Sequence, residues 1–90
     1  MVRIDVFVSP ELAASLSSGA ATSAALEAQS LAARFGAQLV ATHPGINDQE
    51  LRRYYHLDIP TPESAEKLRT ELLNLPGIEG AFIKPLAELP

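Results

Sequence analysis

Apolar and polar residues alternate from Arg3 to Val8, with Ile4, Val6 and Val8 on one side and Arg3, Asp5 and Phe7 on the other. A period of two predicts a strand with one buried face. Ser9-Pro10 stops the pattern, and Ser9 is placed to cap a helix that has Pro10 at its first position and Glu11 behind it. From Pro10 to Phe35 the chain is rich in Ala, Ser and Leu. Glycine inside a helix costs about 1 kcal/mol relative to alanine. Ser17-Ser18-Gly19 therefore divides the stretch into a short helical turn and a main helix from about Ala21 to Phe35. Ala24, Ala28, Leu31 and Phe35 follow at spacings of 4, 3 and 4, one apolar stripe. Gly36 then supplies a left-handed cap.

Gln38 to Thr42 reads as a short second strand, and His43-Pro44-Gly45-Ile46-Asn47-Asp48 as a turn-rich connection. The clearest strand is the third, Leu51 to Ile59, where Leu51, Arg53, Tyr55, Leu57 and Ile59 alternate with Arg52, Tyr54, His56 and Asp58. Thr61-Pro62-Glu63 sets cap, proline and acid in the order that starts a helix. Ala65, Leu68, Leu72 and Leu75 give that helix its apolar face, from about Pro62 to Leu75, before Pro76-Gly77 ends it. A last strand runs from Ile78 to Lys84 and Pro85 closes it. Residues 1–85 thus make one domain, and Leu86-Ala87-Glu88-Leu89-Pro90 a C-terminal tail.

The order is β-α-β-β-α-β, an α+β fold of the ferredoxin-like, split βαβ kind. Right-handed crossovers put both helices on one face of a four-stranded antiparallel sheet, with the first and third strands in its centre. Val6, Leu31, Phe35, Tyr55, Leu57, Leu68 and Leu72 are expected in the core. The face without helices takes Arg3, Asp5, Phe7, Tyr54, His56, Asp58, Phe82 and Lys84.

At 90 residues, 47% apolar and 20% charged, the chain has room for a single modest core and lies outside the disordered class. No apolar run is long enough to cross a membrane. With no charged leader and hydrophobic stretch at Met1-Val2-Arg3-Ile4-Asp5, a cytoplasmic location is expected if the chain is complete, and a secreted one if it is a processed propeptide. A net charge of −4 with scattered basic residues argues against a nucleic-acid partner.

The absence of cysteine removes disulfides, thiolate metal sites and a cysteine nucleophile. His43 precedes Pro44 in a turn, and His56 lies in a strand within reach of Asp58; two histidines without ligand spacing predict no metal site. No phosphate-binding loop, dinucleotide fingerprint or serine elbow occurs, so neither a cofactor nor a catalytic role is expected. The aromatic residues are more informative. Phe7 and Phe82 on an uncovered face would each bury about 150–250 Å² against a partner. Two plainer arrangements stand beside this one. They stack on each other and on the stems of Arg3 and Lys84, or a one-residue change of strand phase sends them into the core.

Nearly the whole chain, and its second half best, resembles a known family. Tyr54-Tyr55-His56-Leu57-Asp58-Ile59, Thr61-Pro62-Glu63-Ser64-Ala65 with Leu68, Leu72 and Leu73, and Leu75-Pro76-Gly77-Ile78-Glu79-Gly80-Ala81-Phe82-Ile83-Lys84-Pro85 are similar to the inhibitor I9 domains. These are the propeptides of subtilisin-like serine proteases and their free-standing relatives. Arg34-Phe35-Gly36-Ala37-Gln38-Leu39 resembles the family's passage from helix through glycine to strand. The resemblance implies a split βαβ fold and a subtilisin-like serine protease as partner, inhibited and, for a propeptide, helped to fold. It implies docking through the open face by Phe7, Tyr54, His56, Phe82 and Lys84. The tail, Leu86, Ala87, Glu88, Leu89 and Pro90, would enter the protease cleft like a substrate. Where well-known members carry acidic residues after the last strand, this chain has Lys84 and Pro85.

Leu86 and Leu89 lie three residues apart, a spacing that suits two hydrophobic pockets of such a cleft, with Pro90 following the scissile bond as a poor substrate. Equally, the two leucines would cover the sheet edge. Two other functions fit the fold. Aromatic residues on central strands, here Phe7 and Tyr54, serve RNA binding in similar folds, although the acidic charge counts against that. A small-molecule-binding module similar to ACT domains favours glycine after the first strand, where this chain has Ser9-Pro10.

Overall fold

Alternation along β1 (Val2–Val8) buries Ile4, Val6 and Val8 and leaves Arg3, Asp5 and Phe7 half-covered on the other side, as the period of two requires. The Ser9 hydroxyl then accepts the Leu12 N–H at 3.1 Å and Pro10 takes the first helical position. The result is α1 (Pro10–Ser18), a nine-residue helix where the sequence predicted only a turn. A side-chain cap, a helix-compatible proline and Leu12 and Ala13 in the core together outweigh the weak Ser17-Ser18 end. Thr22 caps α2 (Ser23–Arg34) by accepting the Ala25 N–H. Its buried face is Ala25, Ala28, Leu31 and Ala32, with the predicted Ala24 and Phe35 only half-buried at its margin. Gly36 ends it at φ 74°, and the bonds Gly36 N–H to Ala33 and Ala37 N–H to Ala32 form a Schellman cap. These descriptions cover residues 2–19, 22–45 and 47–85 of a computed structural model.

β2 (Val40–Ala41) is shorter than the predicted Gln38–Thr42: Ala37, Leu39 and Ala41 all pack against the core, but only Val40 and Ala41 pair with β3. The third strand also starts late. Asp48 accepts the N–H groups of Glu50 and Leu51 at 2.9 and 3.3 Å, which bends residues 51–53 into a single 3₁₀ turn. β3 (Tyr54–Ile59) follows, with Tyr55, Leu57 and Ile59 buried.

Thr61 caps α3 (Pro62–Leu73), whose face of Ala65, Leu68 and Leu72 is fully buried. The helix stops two residues before the predicted Leu75, in a tight turn from the Leu75 N–H to the Leu72 carbonyl. β4 (Ile78–Pro85) completes the sheet.

The strand order is β2-β3-β1-β4, antiparallel throughout, with helices on one face. This is the ferredoxin-like split βαβ arrangement, except that two helices rather than one fill the first crossover. Between Phe7 and Val8 the β1–β4 register shifts: Phe7 faces Gly80 but Val8 faces Ile78, which leaves Glu79 as a bulge. The bulge reverses the face on which the strand start lies, so Ile78 enters the core beside Val8.

Candidate functional site

Pairing of the three long strands builds the helix-free face as a grid. Arg3 lies between Asp58 and Lys84, Asp5 between His56 and Phe82, and Phe7 between Tyr54 and Gly80. The structure therefore brings together Phe7, Tyr54, His56, Phe82 and Lys84, as expected from strand alternation. The tail candidates Leu86, Ala87, Glu88, Leu89 and Pro90 lie outside the described residues. β4 reaches Pro85 opposite Val2, at the charged end of the grid and away from Phe7 and Tyr54.

At the charged end, Arg3 donates to Asp58 through Nε at 3.0 Å and Nη2 at 3.4 Å, a fork on one carboxylate. Asp58 is held below its ordinary pKa, first by the Arg3 hydrogen bond and then by its charge, while the same bond raises Arg3. Lys84 Nζ lies 3.3 Å from Asp5 Oδ2. Both cations of the grid are thus answered by carboxylates within it.

His56 does not turn to Asp58. Its Nδ1 lies 3.0 Å from the Thr42 hydroxyl, while Arg3 holds that carboxylate. The contact joins a hydroxyl to an imidazole, and the nearby carboxylates are engaged by Arg3 and Lys84. Among the described residues no three His, Cys, Asp or Glu side chains cluster as metal ligands would.

The aromatic end is packed more tightly than alternation alone suggests. Phe7 and Tyr54 rings lie 4.9 Å apart, and His43 meets Tyr54 edge-on at 6.1 Å. Arg53 lies over the Phe7 ring, 4.1 Å from its centroid. Phe7 is therefore half-buried by its own neighbours, and the apolar area on offer comes from Tyr54, Val40 and Phe82, 41%, 43% and 65% exposed. The Phe82 ring bends over Gly80, where an added Cβ would come within 3.1 Å of it.

Sequence alternation placed Arg53 with the core residues of a longer strand, which the 3₁₀ turn corrects. Its guanidinium instead spans three elements, bonding the Val8 carbonyl at 2.8 Å, Glu79 across the bulge, and Glu50. A charged side chain at an apparent core position was the signal in the sequence. Thr42 and Val40 were also missed, because a two-residue strand carries no readable period. Comparison with protein-family models, with curated proteins and with solved structures found no match to this chain.

Proposed function

We propose that the domain is a propeptide-like inhibitor of a subtilisin-like serine protease, and a folding aid to it, which docks by its helix-free sheet face. The observation that carries this reading is the character of that face. It is built on rigid paired strands, keeps Tyr54 and Phe82 exposed, and neutralises its own charges through Arg3–Asp58 and Lys84–Asp5. Such a surface loses less by being desolvated than one with unpaired charges, and gains from covering two aromatic rings. A phosphate-binding face needs cations that are not already engaged, and here both are paired. The resemblance of residues 54–85 to inhibitor I9 domains supplies the partner class.

On this reading Phe7 acts through Tyr54, holding that ring upright, whereas Tyr54 and Phe82 touch the protease. Residues 86–90 enter the cleft, with Leu86 and Leu89 in its apolar pockets. The test compares inhibition of a subtilisin-like protease by the full chain and by a chain ending at Lys84. Inhibition by the full chain that weakens on truncation is expected. Equal inhibition by both removes the tail from the mechanism and leaves the face, and inhibition by neither refutes the reading.

A further inference from the structure

The longest strand of the sheet lies at an edge, and among the described residues no strand covers the outer side of β4. An open edge of that length is a template for another strand, since its outward N–H and C=O groups lack partners. The bulge at Glu79 and the proline at 85 confine the regular stretch to Gly80–Lys84.

We propose that Gly80–Lys84 pairs antiparallel with the same stretch of a second copy, about a two-fold axis at Phe82. Paired residues must share a face, so only registers that match even with even positions are allowed. With Phe82 on the axis, both faces complement themselves. On the open face Phe82 meets Phe82, and each Lys84 lies across the partner copy's Gly80, which has no side chain and lies under that copy's own Phe82 ring. On the helix side the small Ala81 faces the larger, half-buried Ile83. Phe82 is the most exposed large hydrophobic side chain among the described residues, and this axis covers it. Charge does not oppose the pairing locally, since Lys84 is held by Asp5 and Glu79 by Arg53.

A foreign strand needs only to match the edge. A two-fold needs one patch to match itself, and this one does. Five residues a side make a contact well below the standard interface size, so the dimer is weak and concentration-dependent. It joins two helix-free faces into one eight-stranded surface. It does not depend on the protease reading, and it is measured without any protease present.

Sedimentation equilibrium of the full chain from micromolar to millimolar concentration tests it, alongside Phe82→Lys and Leu73→Lys. Leu73 is a second exposed hydrophobic, on α3 and outside the paired stretch. The unaltered chain and Leu73→Lys are expected to show a monomer–dimer equilibrium. Phe82→Lys should raise the dissociation constant at least roughly tenfold, the scale of one uncovered aromatic side chain. Amide exchange within residues 80–84 should slow as the concentration of unaltered chain rises. A monomer throughout, a dimer that Phe82→Lys leaves intact, or exchange in residues 80–84 independent of concentration would each overturn it.

Discussion

The Nε of Arg53 donates a 2.8 Å hydrogen bond to the carbonyl of Val8, at the point where the β1–β4 register slips by one residue. A bulge leaves backbone groups without ladder partners, and the guanidinium fills that gap while its other nitrogens reach Glu79 and Glu50. Because the same group covers Phe7, one side chain fixes both the bulge and the aromatic end of the open face. Arg53→Ala is expected to cost about 1.5–3 kcal/mol, the range for a hydrogen bond made by a charged group. Arg53→Lys should recover only part of this, since lysine keeps the charge but not the fork. Urea unfolding of the three proteins measures both.

Gly77 and Gly36 both have positive φ, 87° and 74°, but their surroundings differ. A Cβ on Gly77 would lie 2.9 Å from Leu12 Cδ2, whereas one on Gly36 meets nothing within 4 Å. Gly36→Ala should therefore carry only the left-handed penalty, about 1–2 kcal/mol. Gly77→Ala should cost more, because the buried Leu12 side chain must give way as well. Denaturant midpoints for the two variants should fall in that order.

The Arg3–Asp58 pair predicts a specific acid response. Its hydrogen bond lowers the Asp58 pKa, so the carboxylate stabilises the fold above the ordinary aspartate range. That contribution fades as the pH falls from about 4 through the depressed value. The pair is partly solvent-exposed, so the effect is small. Asp58→Asn should be less stable than the unaltered chain at neutral pH, with the gap closing as the pH falls through the depressed Asp58 value. Thermal melts from pH 2 to pH 7 read this difference, and a constant gap would show that the pair is not its source.

In the core, Leu72 is completely buried beneath α3. Leu72→Ala should cost about 2–5 kcal/mol, a large share of the stability of so small a domain. Leu73→Ala, one position along and exposed, should change stability by less than about 0.5 kcal/mol. Chemical denaturation of both variants checks that contrast.

Most of the fold was legible because its main signals are local. Ser9-Pro10, Thr61-Pro62 and the alternation through Val6 and Leu57 each state their element within a few residues, and the sheet order follows from connection rules. What stayed hidden depends on contacts between distant parts. The Asp48 turn that shortens β3, and the Glu79 bulge that turns Ile78 inward, leave no mark in hydrophobic period. Alternation identified Phe7, Tyr54 and Phe82 as sharing a face. It had no means of showing that Arg53, 46 positions from Phe7, would cover one of them. The same limit applies to His56, whose partner is Thr42 on another strand's end and not Asp58 on its own.

The most direct test of the account measures folding and binding on the same variant. Tyr54 is exposed on the helix-free face, so Tyr54→Ala should raise the inhibition constant for a subtilisin-like protease by far more than its loss of unfolding free energy explains. Inhibition titrations and urea unfolding on identical samples give the two quantities. Inhibition that falls while unfolding is nearly unchanged is the predicted result. No inhibition by the unaltered chain, or losses in binding and folding of equal size, would contradict the claim that this face is a docking surface for that partner.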